Sequence, residues 1–184
     1  MNRTLLIVDL EASCWPAGEH SACKMETIEI GALRVHPGET IPHDTFQIFV
    51  RPTRYPQLSD FCTQLTSIRQ SDVEGAETFP LAFSRFLDWV GDPKQVLFSS
   101  WGEYDRKQFL RDCSNNKVRY PFDDHLNLKK WVATRIGREP EGMKPTMHYL
   151  KLSQEGTHHR ALDDVLNIWR IANHVTDGQT DQVR

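Results

Sequence analysis

Leu5-Leu6-Ile7-Val8-Asp9-Leu10-Glu11 fixes the centre of the molecule. Four aliphatic residues in a row, Leu5 to Val8, read as a strand buried on both faces, which belongs inside a sheet rather than at its edge. Acids follow at once. Successive side chains of a strand point to opposite faces, so Asp9 and Glu11 share one face at the strand's end. Two adjacent carboxylates repel each other unless a cation lies between them. A donor set made of oxygens favours Mg²⁺ or Mn²⁺. Asp72-Val73-Glu74 repeats the spacing, but it follows the polar stretch Arg69-Gln70-Ser71 and lacks a strand to aim it.

Two further strands are predicted at Thr27 to Val35 and Thr45 to Val50. The turn signal His36-Pro37-Gly38-Glu39 lies between them and Pro52 stops the second. Ser59 is placed to cap a short helix ending at Leu65. Phe79, Phe83, Phe86, Leu87 and Val90 recur at helical spacing. Thr78 is the expected cap of that helix, and Pro80 sits in the first turn, where its missing N–H costs nothing. Val96 to Ser99 is a fourth strand. Helices are predicted at Tyr104 to Cys113 (Phe109 and Leu110 inward), Leu128 to Ile136 (closed by Gly137), Thr146 to Leu152 and Arg160 to Val175. Strands first, then helices with interspersed strands, give an α/β domain: a mixed central β-sheet flanked by helices, spanning 1–175. Thr176 to Arg184 has little apolar content and is predicted to be a disordered tail.

The chain of 184 residues suits one domain. Its net charge of −3 does not mark a nucleic-acid binder by bulk charge, so such a role would need bound cations and a local basic patch. None of Cys14, Cys23, Cys62 and Cys113 forms a C-x-x-C pair, which argues against zinc or a dithiol motif. No stretch approaches the ~20 apolar residues of a membrane helix. The expectation is a cytoplasmic protein with no membrane contact.

The last helix opens with His158-His159-Arg160-Ala161-Leu162-Asp163-Asp164. Ala161, Val165, Ile168 and Ala172 form its apolar stripe. Asp164 falls inside that stripe, whereas Asp163 lines up with Asn167 and Arg170 on the polar side. An acid aimed at a core must be paired or bound to metal, which makes Asp164 a candidate ligand. His159 stands just before the helix, where an imidazole with a pKa near ~6.5 suits general-base work. His158 reads as a surface residue. A further acid is expected where the fourth strand gives way to a helix, in Ser99-Ser100-Trp101-Gly102-Glu103-Tyr104-Asp105. Glu103 and Asp105 both qualify, and spacing does not choose between them.

Asp9-x-Glu11 after an apolar strand, an acid after the fourth strand, and His159-x-Ala161-x-x-Asp164 together resemble the DEDDh branch of 3′–5′ exonucleases. Asp9-x-Glu11-Ala12-x-Cys14, Leu58-Ser59-Asp60-Phe61-Cys62-x-x-Leu65-Thr66-x-Ile68-x-Gln70, Thr78-Phe79-Pro80 and Ser100-Trp101 are similar to the enhanced-RNAi and histone-mRNA 3′-end exonuclease group. KapD-like bacterial relatives look close as well. The resemblance runs from about Leu5 to His174. It implies a ribonuclease H-like fold and hydrolysis of terminal phosphodiesters at the 3′ end of single-stranded nucleic acid, RNA before DNA, releasing nucleoside 5′-monophosphates.

The resemblance further implies that Asp9, Glu11, Asp105 and Asp164 hold two Mg²⁺ or Mn²⁺ ions, with Asp105 chosen over Glu103, and that His159 is the base. It also implies that Ala12, Leu65, Thr66, Ile68 and Trp101 contact the terminal nucleotide. The rival expectations are an exodeoxyribonuclease and a nucleic-acid-binding module with little catalysis. Lys129, Lys130, Arg135, Arg138, Arg106, Lys107 and Arg111 are candidates to track the phosphate backbone.

Overall fold

Alternation along the first strand sets up the whole architecture. In the computed structural model, which describes residues 3–20, 24–36, 39, 42 and 44–180, the strands are β1 (Thr4–Ala12), β2 (Thr27–Val35), β3 (Asp44–Arg51), β4 (Glu77–Thr78), β5 (Val96–Ser100) and β6 (His125–Asn127). They form one six-stranded sheet in the order β4-β3-β2-β1-β5-β6. β1, β2 and β3 pair antiparallel. β5 pairs parallel with β1 and β6, and β4 parallel with β3. The sheet is therefore mixed, with the apolar β1 inside it as expected.

Leu6, Val8 and Leu10 point to one face and pack with Phe83, Phe86, Phe98 and Phe109. Those rings come from α3 (Phe79–Val90), β5 and α4 (Tyr104–Asn115). Ile7 points to the other face and packs with Leu33, Val132, Val165, Ile168 and Ile171, from β2, α5 (Leu128–Ile136) and α7 (Ala161–Thr180). α6 (Met143–Tyr149) adds Met143 and Met147. By alternation Asp9 and Glu11 lie on the same face as Ile7, under the start of α7. A smaller cluster of Cys14, Ile28, Cys62, Ile68 and Val73 closes one end beside α1 (Asp60–Thr66) and α2 (Gln70–Glu74).

The start of α7 rests directly on Gly31, which is the register partner of Asp9. A Cβ on Gly31 would collide with the backbone of Ala161 and Leu162. Neither backbone can move aside as a flexible side chain would. Gly31→Ala is therefore expected to destabilise the protein by roughly 1–3 kcal/mol, the usual cost of overpacking, and to lower activity as well. An unchanged melting temperature would mean that α7 rides freely over β2.

Several expectations are corrected. Leu110 is 37% exposed, because the buried face of α4 repeats at Asp105, Gln108, Phe109 and Asp112, and Leu110 lies outside it. Thr78 occupies the cap position of α3 without a side-chain cap hydrogen bond. Ser59 does cap α1, its hydroxyl accepting the Cys62 N–H. α6 starts at Met143 rather than Thr146. The backbone of α7 continues to Thr180, five residues past the expected end at Val175, and 181–184 lie outside the described residues. Cys23, Pro37 and Gly38 also lie outside them. Asp72-Val73-Glu74 is helical, and Asp72 accepts the Arg69 N–H at 2.8 Å.

Candidate active site

The strand end, the start of α4 and the start of α7 meet in a cleft of about 390 Å³, enough for one nucleotide. Asp9, Glu11, Ala12, Leu65, Trp101, Asp105, His158, His159 and Asp164 all line it. A register shift between Glu11 and Ala12 interrupts the β1–β2 ladder where β1 enters the cleft. Carboxylate oxygens of Asp9, Glu11 and Asp164 lie within 4.8 Å of one another.

Asp105 sits beside them, 4% exposed, in the first turn of α4. Its Oδ1 accepts the Leu10 N–H at 3.0 Å, which ties α4 to β1 between the two acids. Glu103 belongs to a different network. It accepts from Asn127 at 3.0 Å and meets His125 Nδ1 at 3.5 Å. Its side chain is 40% exposed and does not line the cleft.

Asp164 faces inward with the apolar stripe, at 4% exposure. Its Oδ2 accepts the backbone N–H of His159 at 3.0 Å, and its Oδ1 lies 3.1 Å from His158 Nδ1. Asp163 turns away and accepts the Thr157 N–H at 2.7 Å. His159 is held at φ 61°, in the left-handed region. Its Nδ1 lies 3.9 Å from Glu11 Oε1, and its ring sits 4.0 Å from that of His158. His158, expected at the surface, thus faces the cleft through Asp164.

Two expected nucleotide contacts do not reach the cleft. Thr66 and Ile68 are fully buried. The Thr66 hydroxyl donates to Cys62 O and accepts the Ile68 N–H, which closes the end of α1, and Ile68 packs in the Cys14–Cys62 cluster. Their place in the sequence reflects the wall behind Leu65. Leu65, 40% exposed, is the residue that looks into the cleft. Sequence reading missed Met25, Tyr104 and Met143 in the lining. They are ordinary apolar and aromatic residues whose convergence depends on tertiary packing. Of the basic candidates, Arg135 lies over the Trp131 ring and Arg138 pairs with Glu141.

Burial dominates the electrostatics, with repulsion between the acids behind it. Burial, then Asp105, Glu11 and Asp164, hold Asp9 well above the usual carboxylate range. Burial, then Asp164 and Glu29, push Glu11 up to about 9. Burial pushes Asp105 up to about 7 against the opposing hydrogen bond from Leu10. Burial and the neighbouring His158 lower His159. Three carboxylates kept from ionising freely, with the oxygens of Asp9, Glu11 and Asp164 converging, fit a divalent cation, which would repay their desolvation.

The folded protein therefore binds these protons more tightly than the unfolded chain does. Their stabilising contribution is complete below the ordinary carboxylate range and is lost as pH rises, through about 7 for Asp105 and about 9 for Glu11. Metal-free protein is expected to melt lower at pH 8.5 than at pH 6. Mn²⁺ or Mg²⁺ at ~100-fold its Kd contributes ~2.7 kcal/mol, a rise of roughly 5–10 °C for a chain of this size. A thermal scan with EDTA against metal at both pH values checks this. No metal-dependent rise at either pH would count against a cation site.

The cleft can be set beside known proteins. Residues 6–172 match the RNase_T family model, described as Exonuclease. Human 3′-5′ exoribonuclease 1 is 31% identical over 182 residues, covering 91% of this chain and 51% of its own length. The probable 3′-5′ exonuclease KapD of Bacillus subtilis (strain 168) is 30% identical over 175 residues, covering 91% of this chain and 82% of its own. The chain spans about half or less of the length of most of the curated relatives it matches. The nuclease domain of 3′hExo, a DEDDh family member solved bound to rAMP, superposes with a TM-score of 0.89 at 28% identity. That match covers 96% of this chain and 93% of the other. A 3′-exonuclease solved for its 3′-end specific recognition of histone mRNA stem-loop superposes at 0.85, also 28% identical, covering 96% and 65%. The fold is ribonuclease H-like, and the chain belongs to the RNase_T exonuclease family.

Proposed function

We propose that this chain is a 3′–5′ exoribonuclease, with residues 1–175 as its catalytic domain, that hydrolyses the terminal phosphodiester of single-stranded RNA. The observation that carries the reading is the meeting of Asp9, Glu11 and Asp164 within 4.8 Å in a nucleotide-sized cleft. Asp105 and His159 line the same cleft. The RNA preference rests on relatives called exoribonucleases and on the rAMP-bound and histone-mRNA structures.

Asp9, Glu11 and Asp164 would hold one divalent cation, Mg²⁺ or Mn²⁺, and Asp9 with Asp105 would share a second. When bound, such ions neutralise the carboxylates and stabilise the charge that gathers on the phosphate. His159 takes the proton of the attacking water, and its lowered pKa keeps it neutral and ready to accept at pH 7. Leu65 and Trp101 flank the terminal base, and the backbone at Ala12 meets the sugar, where a 2′-hydroxyl contact favours RNA. The product is a nucleoside 5′-monophosphate.

Among the described residues no helix is long and apolar enough to cross a membrane. A cytoplasmic location is part of the proposal, supported by the free thiols of Cys14, Cys62 and Cys113.

The test is a time course on 5′-labelled RNA and DNA strands of matched sequence with 3′-hydroxyl ends, with Mg²⁺, Mn²⁺ or EDTA. A metal-dependent ladder shortening from the 3′ end, faster on RNA, is expected. Faster shortening of DNA would make the chain an exodeoxyribonuclease. No shortening of either strand would leave a binding module.

A further inference from the structure

Glu29 lies outside the cleft lining, is fully buried on β2, and sits directly across from Glu11 in the β1–β2 register. A carboxylate in such a place is costly unless it is paired and hydrogen-bonded. Here it accepts the Ala161 N–H at 3.0 Å, Arg160 Nε at 3.3 Å and Arg160 Nη2 at 3.2 Å. Gln47 Nε2, on β3, donates to it at 2.5 Å and fixes the carboxylate itself.

Three of these four bonds come from the two residues that follow His159. The first N–H groups of a helix have no partner within it, and a side chain just before the helix usually accepts one of them. Arg160 has no acceptor to offer, so a carboxylate from the neighbouring strand caps α7 instead. His159 meanwhile holds a left-handed backbone, which costs a non-glycine residue on the order of 1–3 kcal/mol and persists only where the surroundings enforce it. Asp164 holds the His159 N–H, and Glu29 holds the two residues after it.

We propose that Glu29 is a positioning residue: its carboxylate clamps Arg160 and Ala161 and so sets the strained backbone that aims His159 into the cleft. The proposal rests on the exonuclease reading above for its kinetic consequence, though not for its structural one.

The experiment compares Glu29→Gln with wild type on 5′-labelled RNA with a 3′-hydroxyl, alone and in the His159→Ala background, after thermal unfolding has established that each variant is folded. Displacement by about 1 Å away from the chemistry can cost ~10²-fold. The expected result is a kcat lower by about 10–10²-fold with KM almost unchanged, and little further loss when His159 is already Ala. Arg160→Gln removes the partly exposed partner and is expected to show the same pattern more weakly, which covers a Glu29→Gln protein that fails to fold. Imidazole NMR supplies a readout free of activity. The His159 signals, assigned by their absence in His159→Ala, are expected to shift in either clamp variant while those of His36, on Thr4, stay put.

A folded clamp variant with wild-type kcat and unmoved His159 signals overturns the proposal. So does a kcat loss that persists in full without His159. If wild type leaves RNA intact, the exonuclease reading falls instead, and the imidazole signals alone decide for or against the clamp.

Discussion

Asp9→Asn is expected to cut turnover of 3′-hydroxyl RNA to background, by at least ~10³-fold, the upper range for deleting one preorganised electrostatic contact. The same change is expected to raise the melting temperature of the metal-free protein. The two effects have one cause. Burial, then Asp105, Glu11 and Asp164, raise Asp9 well above the usual carboxylate range, so the metal-free fold must hold a proton there that the unfolded chain gives up above the ordinary carboxylate range. An amide of the same shape is neutral in both the folded and the unfolded chain and carries no such cost. Each kcal/mol relieved appears as about 2–4 °C in a chain of this size.

The gain has a pH signature. It is small near pH 4, where the unfolded wild type also keeps Asp9 protonated. It grows toward pH 9, because the unfolded wild type ionises Asp9 while burial and its neighbours resist this in the fold. Calorimetry across that range, paired with the RNA time course, separates the outcomes. A variant that loses both activity and stability would mean that Asp9 is a structural carboxylate. One that keeps near-wild-type turnover in saturating Mg²⁺ would remove Asp9 from the ligand set.

The stretch Leu5 to Glu11 could be read because period-two alternation and burial act within a single segment. Leu6, Val8 and Leu10 go to one core and Ile7 to the other, and the acids follow the same rule. Asp164 was legible for a similar reason: helical periodicity places it in the stripe of Ala161, Val165 and Ile168, which is where it is buried. The choice between Glu103 and Asp105 was not legible from spacing. The two part in the structure, Asp105 on α4 meeting the Leu10 N–H of β1 and Glu103 meeting Asn127, a matter of tertiary pairing.

Thr66 and Ile68 show the opposite error. They stand beside Leu65 in sequence, but the end of α1 turns them inward. Glu29 carries no local signal either. It sits in a predicted strand among Thr27, Ile28 and Ile30, and its importance appears only when α7 is laid over β2. Gly31 gives no local signal of its role, which appears only in the close approach of Ala161 and Leu162.

His159→Ala is expected to lower kcat by ~10²–10⁴-fold, the range for losing a general base, with metal affinity close to wild type. His158→Ala is expected to do the reverse, weakening metal affinity with a smaller effect on kcat at saturating metal. The distinction comes from what each ring already touches. His158 Nδ1 lies 3.1 Å from the Asp164 carboxylate, so that ring orients an acid of the cation cluster. His159 Nδ1 lies 3.9 Å from Glu11, beyond hydrogen-bond length, and its side chain is 39% exposed. A base that must meet water at the open side of a cleft needs that freedom, and catalytic hydrogen bonds often tighten only once substrate is present.

Both histidines, with Asp164, belong to a second group of ligand atoms within 4.8 Å. A cation held there would engage His159 and leave no free base. Metal titration monitored by intrinsic fluorescence, run beside single-turnover kinetics on both variants, tells these cases apart. A large kcat loss in His158→Ala with none in His159→Ala would exchange their roles. Equal loss of metal affinity in both would move the cation from the aspartate cluster to the histidine pair.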